Sequence, residues 1–114
     1  MPTHYVRSFS FKDSLTDAQV VEEWKYLLEQ VIPAIRKVSG VRAVTAYSGA
    51  GALRADLSVT IDMDDAGVYE RMLMDAEVRR MLGRVYGAWD LNTSRQAFRR
   101  EITPQLIQAL RGTA

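Results

Sequence analysis

His4 is the only histidine in the chain, and it stands in HYVRSFSF, a stretch whose period-two spacing reads as a strand. An imidazole changes charge near neutral pH, so a lone histidine beside a recess is a candidate general base, and away from one it is a surface or interface side chain. Trp24, Tyr69, Tyr86 and Trp89 fall at helical positions. There they fill a core or subunit contact, with pocket lining as the alternative for Tyr69 and Tyr86. Arg54, Asp56 and Asp62 alternate on what would be the polar side of a strand, which suits a solvated or interfacial ion-pair ladder better than a ligand clamp. Seven arginines between Arg79 and Arg111 face only Asp90 and Glu101. Since no aromatics are interleaved with them, they read as a solvated surface rather than a nucleic-acid or phosphate site. The absence of cysteine excludes disulfides, thiol catalysis and cysteine-ligated metals. One histidine and scattered carboxylates make no first-row metal cluster, leaving haem held by His4 alone as the one such group this residue set admits. No metal site and no cofactor are expected, and no phosphate loop, nucleophile elbow or dinucleotide glycine motif is present.

These residues need elements to hold them. In the first stretch Tyr5, Arg7, Phe9 and Phe11 share one side and His4, Val6, Ser8 and Ser10 the other. Thr16 to Gln19 is a capping box, so a helix is expected from about Asp17. Val20, Trp24, Leu27, Leu28, Val31, Ile35 and Val38 then give one helical stripe, with Gly40 placed as its terminator. Pro33 conflicts with a continuous helix and predicts a kink over residues 29–33, or two helical pieces in line. Val41 to Tyr47 reads as a second strand, SGAGA as a short turn, and Leu53 to Met63 as a third strand with Leu, Ala, Val, Ile and Met alternating against Arg, Asp, Ser and Thr. Asp64 or Asp65 is placed to cap a second helical region carrying Tyr69, Met72, Leu73, Val78, Met81, Leu82 and Val85. Residues 91–102 suit either a helix or an edge strand. Thr103 and Pro104 then open a short closing helix over about 104–111, which isolates 91–102 as its own element and favours a fourth strand.

The expected order is βαββαβ, a ferredoxin-like α+β fold with an antiparallel sheet. The 114 residues fit one domain, 1–114, with 47% hydrophobic and 25% charged residues, an ordinary globular composition. A net charge of +1 gives no field that argues for nucleic acid or an acidic membrane. With no signal-peptide core and no membrane-length apolar run, a cytoplasmic protein is expected. Helices on one sheet face leave the other uncovered, and a homodimer through that face is the expected solution.

The stretch His4 to Gln19 resembles the opening of the stress-responsive dimeric α/β barrel proteins: a histidine on the first strand, a run ending in Phe-Lys, an acidic turn and a helix cap. VIPAIRKVSGVRAV, residues 31–44, is similar to the helix end and second strand of that family, its proline included. The resemblance is best over residues 4–44 and weakens after Asp64. It implies a dimeric α/β barrel from a superfamily that includes a polyketide cyclase, isomerases, cofactor-free monooxygenases and haem-handling members. In its cyclase-like members the first-strand histidine works with a tyrosine on the second helix and a second histidine. His4 matches the first, the second histidine falls at Glu77 in Asp75-Ala76-Glu77, and the tyrosine falls near Arg71, close to Tyr69.

Two functions follow. One is a dimer that holds a small apolar or aromatic ligand between sheet and helices, at Tyr69, Trp24, Tyr86 and Arg71, or whose cleft is filled by Met72, Met74 and Met81. The other is a cofactor-independent cyclase, isomerase or monooxygenase with His4 as base and Glu77 orienting it. An enclosed cleft reached by both His4 and Glu77 favours the second, and His4 facing away from the cleft favours the first.

Overall fold

The computed structural model describes residues 2–112. Its elements are β1 (Thr3–Phe11), α1 (Asp17–Tyr26), a π-helical turn (Leu27–Val31), α2 (Ile32–Arg36), β2 (Val41–Ser48), β3 (Leu57–Met63), α3 (Gly67–Met74), α4 (Ala76–Ala88), β4 (Trp89–Arg99) and α5 (Pro104–Gly112). The strands form one antiparallel sheet in the order β2-β3-β1-β4. This is the ferredoxin-like α+β arrangement.

Alternation decides which side of the sheet is covered. Tyr5 and Phe9 of β1, Leu57, Val59, Ile61 and Met63 of β3, and Val44 of β2 are buried together with α2, α3 and α4 side chains in a single apolar cluster. The opposite side presents small and polar groups in rows set by strand register: Asp62, His4 and Arg99, then Thr45, Thr60, Val6 and Ala97, then Tyr47, Ser58, Ser8 and Arg95. Among the described residues no helix covers this second face.

The capping box is present: the Gln19 N–H donates to Thr16 Oγ1 at 3.1 Å and the Thr16 N–H to Gln19 Oε1 at 2.7 Å. The proline conflict resolves as a π turn. Pro33 has no N–H for the Glu29 carbonyl, and the helix widens over Leu27–Val31 so that the Ile32 N–H reaches the Leu27 carbonyl five residues back. Of the two expectations the structure takes the second, with α1 and α2 as successive helical pieces joined by the π turn.

Three element boundaries differ from expectation. The third strand starts at Leu57, not Leu53, because Gly49–Gly51 makes a 3₁₀ turn with Ala50 and Gly51 at positive φ, and the Gly49 N–H donates to the Asp56 carbonyl at 2.8 Å. Residues 53–56 are therefore consumed in the loop, where Arg54 pairs with Asp17 at 2.9 Å. The second helical region is broken at Asp75, whose carboxylate leaves α3 and caps α4 by accepting from the Val78 N–H at 3.0 Å. Trp89, expected on a helix, opens β4.

β4 pairs with β1 across an irregularity. Ser8 lies opposite Arg95 but Ser10 lies opposite Asp90, so the extra residues fall in β4. Thr93 Oγ1 holds the bulge by accepting from the Ser10 N–H at 2.8 Å and donating to the Asp90 carbonyl at 2.7 Å. The shift switches the alternation of β4, so that Trp89 and, further on, Gln96 and Phe98 all reach the covered side.

Candidate functional site

The largest aromatic concentration lies where the bulge meets β1. The Trp89 ring stacks on Phe9 with centroids 3.6 Å apart, and Tyr86 meets Trp89 edge-on at 5.1 Å. At the other end of β1, Tyr5, Tyr69 and Phe98 form a triangle with centroids 4.9–5.2 Å apart. Between these two groups is a recess of about 50 Å³. Its floor is the sheet (Tyr5, Arg7, Val59, Ile61), its roof the π turn with α3 and α4, and Tyr69, Leu73, Leu82 and Tyr86 stand half-buried around it.

Arg7 is the one charged residue lining the recess. Its guanidinium lies 5.7 Å from the Trp89 ring centroid and donates to Ser94 Oγ at 3.1 Å. Among the described residues no carboxylate pairs with it. The Trp89 indole N–H is also buried without an acceptor. Tyr5 donates its hydroxyl to Gln96 Oε1 at 3.0 Å, and burial, reinforced by a hydrogen bond with Tyr69, pushes its phenol well above the usual tyrosine range. That hydroxyl stays protonated at any physiological pH.

The residues singled out from the sequence are not gathered in one place. Tyr69 and Tyr86 line this recess. Trp24 lines a separate depression with Leu28, Tyr47 and Leu57 beside the edge strand β2. Arg71 is exposed on α3 and approaches Gly40 instead of the recess. His4 lies on the uncovered face, where its Nδ1 is 2.5 Å from Asp62 Oδ1 and its side chain is 40% exposed. Glu77 is exposed in the first turn of α4, on the helical side. The sheet stands between His4 and Glu77, so the geometry does not assemble the His–Glu pair. Of the methionines, Met72 lines the recess, Met81 is buried in the core, and Met74 points outward at 74% exposure.

Arg7 and Trp89 are the recess residues that the sequence reading left without a role there. The signal for Arg7 was available: it is the single charge in the alternating set Tyr5, Arg7, Phe9, Phe11. Trp89 had no such signal, since its orientation depends on the bulge. Among the described residues no cluster of three potential metal ligands occurs, and no helix is long and apolar enough to cross a membrane.

No protein-family model and no curated protein matches the chain. Solved structures do. A conserved protein from Methanosarcina mazei Go1 superposes with a TM-score of 0.73 at 14% identity, covering 90% of this chain and 94% of that one. The chain has a ferredoxin-like α+β fold. A dimeric ferredoxin-like protein of unknown function from Thermobifida fusca matches with a TM-score of 0.70 at 16% identity, over 89% and 92% of the two chains. SnoaB, a cofactor-independent oxygenase from Streptomyces nogalater, matches at 0.68 and 12% identity, over 90% and 97%.

Proposed function

We propose that the protein is a cytoplasmic homodimer that binds a small apolar or aromatic molecule in the recess between sheet and helices. The observation that carries this is the lining: aromatic walls, an aliphatic roof, and no histidine or carboxylate among the lining residues. Such a site offers contact area and orientation without a general base.

Size limits what enters unaided. A cavity of about 50 Å³ is a third of the roughly 150 Å³ that holds a benzene ring in an engineered apolar core, so a ring enters only as mouth side chains swing aside. Leu73, Leu82, Tyr69 and Tyr86 are half-buried at the mouth and would have to shift, whereas Val59, Ile61 and Trp89 belong to the buried core. Burying about 150 Å² of a ring yields roughly 4 kcal/mol before the cost of association, so a bare hydrocarbon should bind in the millimolar range at best.

Dimerisation is supported by the uncovered sheet face and by α5, which buries no residue in its own chain while Ile102, Ile107 and Leu110 stay exposed. The small side chains of the middle row, Thr45, Thr60, Val6 and Ala97, permit two sheets to approach closely. The T. fusca protein's dimeric description agrees with this reading.

A second reading, cofactor-independent oxygenation, is favoured by the likeness to SnoaB. In this recess it would draw on neither His4, which lies with Asp62 in a separate depression on the other face of the sheet, nor Tyr5, whose phenol is held neutral. Any such reaction here would have to draw its reactive anion from the substrate itself.

The test uses the two tryptophans. In a Trp24→Phe variant, fluorescence reports Trp89 alone, and toluene or naphthalene should alter its emission in a saturable way. An unresponsive Trp89, with no ligand density after soaking crystals, would overturn the proposal.

A further inference from the structure

We infer that the recess is built for a planar apolar molecule carrying one acidic oxygen group, bound as its anion against Arg7. The inference rests on the ligand-binding reading above and adds the charge of the ligand. A guanidinium cannot shed its proton, so burying it imposes a cost that only an anion or a full set of hydrogen bonds relieves. Arg7 is half-buried, has Ser94 Oγ as its acceptor, and has no carboxylate partner among the described residues. The other cation placed over a ring among the described residues has a carboxylate partner. Arg84, 3.7 Å over the Tyr26 ring, also binds Glu23 at 3.3 Å.

The second observation is independent of Arg7. The Trp89 indole N–H is buried with no acceptor, and Trp89 belongs to the same lining. Two donors thus lack a full complement of acceptors within a lining that contains no carboxylate. Apolar walls favour the body of a ring, and a guanidinium over an indole face fixes where its oxygen must go. A carboxylate and a phenol or enol bound as its anion share this chemistry. The low-dielectric surroundings raise the value of the charge pairing and penalise a neutral isostere, which leaves Arg7 unrelieved.

The experiment compares benzoate with benzamide, and adds 4-nitrophenol, whose anion absorbs in the visible, as the phenol arm. Binding to the full chain is followed by calorimetry and by Trp89 fluorescence in the Trp24→Phe background. Benzoate should bind at least about tenfold more tightly than benzamide, the usual size of a charge-assisted contact. Arg7→Met, which keeps the aliphatic stem, should abolish that preference while leaving benzamide affinity within about twofold, and Arg7→Lys should restore part of it. Bound 4-nitrophenol should titrate at lower pH than free 4-nitrophenol, and Arg7→Met should erase the shift. A carboxylate-selective site shows the benzoate preference without the nitrophenol shift, and a phenolate site shows the reverse; either supports the inference.

Equal affinity for benzoate and benzamide, with no nitrophenol shift, overturns the role of Arg7 and leaves the recess as a neutral site. No binding of any of the three overturns the recess itself. If Arg7→Met fails to fold, the Arg7→Lys protein and the salt dependence of benzoate binding still decide, since a preference unmoved by both overturns the inference.

Discussion

Gly40 is the position where a single methyl group should do most damage for its size. It adopts φ +93° just before β2, and its carbonyl accepts the Asp64 N–H at 2.9 Å, tying the start of β2 to the end of β3. A Cβ built there would lie 2.6 Å from Val68 Cγ2 and 3.3 Å from the Arg71 guanidinium. Val68 is fully buried, so it cannot yield as a surface side chain would. Gly40→Ala therefore combines left-handed backbone strain of about 1–2 kcal/mol with overpacking of about 1–3 kcal/mol, for a sum of roughly 2–5 kcal/mol. Urea unfolding followed by circular dichroism reads this as a lowered midpoint at unchanged slope. The two contributions separate in a double-mutant cycle. Val68→Ala removes the colliding methyls at its own cost of roughly 2 kcal/mol, and the double variant should be less destabilised than the sum of the singles by about 1–3 kcal/mol, leaving the backbone strain intact. Strict additivity would mean that no collision exists, and a neutral Gly40→Ala would refute the backbone reasoning as well. Because Val68 opens α3, which carries Tyr69 and Met72 to the recess, the single variant should also weaken toluene binding.

Four further outcomes are expected. Thr16→Ala removes one half of the capping box and should cost about 1 kcal/mol in the same unfolding assay. The neutral Tyr5 phenol is favoured by folding, so its contribution is complete below the unfolded-state value near 10 and is lost as pH rises toward the higher folded-state value. Tyr5→Phe should accordingly remove up to about 1.4 kcal/mol per pH unit from the fall in stability above about pH 10, measured by unfolding at alkaline pH. Sedimentation should give twice the 12.9 kDa chain mass, and Val6→Arg, at the centre of the uncovered face, should give the single chain with its secondary structure intact. Leu82→Ala should widen the mouth of the recess and tighten naphthalene relative to toluene, read by Trp89 fluorescence.

Most of the fold could be read from the chain because each element carries its own periodicity. The helical stripe from Val20, the proline conflict and the alternation of β1 are local facts, and the structure keeps all three except that Leu28 of the stripe is exposed. The boundaries that moved are those set by partners distant in sequence. Leu53 to Asp56 alternate as well as the residues that follow, but the bond between Gly49 and Asp56 and the reach of Arg54 to Asp17 draw them into a loop. The break at Asp75 is legible in hindsight, since an aspartate three residues before Val78 is a cap signal in the middle of a helical stripe. Trp89 was not legible at all. Its side of the sheet follows from a bulge whose register is fixed by Thr93 and Ser10, and no short window of sequence contains both.

The site was harder to read than the fold because family likeness and side-chain alternation pulled His4 in opposite directions. Alternation alone puts Tyr5, Arg7 and Phe9 on one side and His4 on the other, and two large aromatics mark the first side as core. Pairing with β3 adds that His4 shares its side with Asp62, between the buried Ile61 and Met63. The likeness, resting on residue type at one position, carried no information about which face that position serves here. This has a consequence that binding can test. His4→Ala should leave benzoate and toluene affinities within about twofold of the parent, because a whole sheet separates it from the recess, whereas Tyr86→Ala should weaken both. The contact with Asp62 is exposed, so its loss should move the unfolding midpoint little. A large fall in recess binding on removing His4, with the fold and the assembly unchanged, would place the imidazole in the site after all and with it the base that the present geometry withholds.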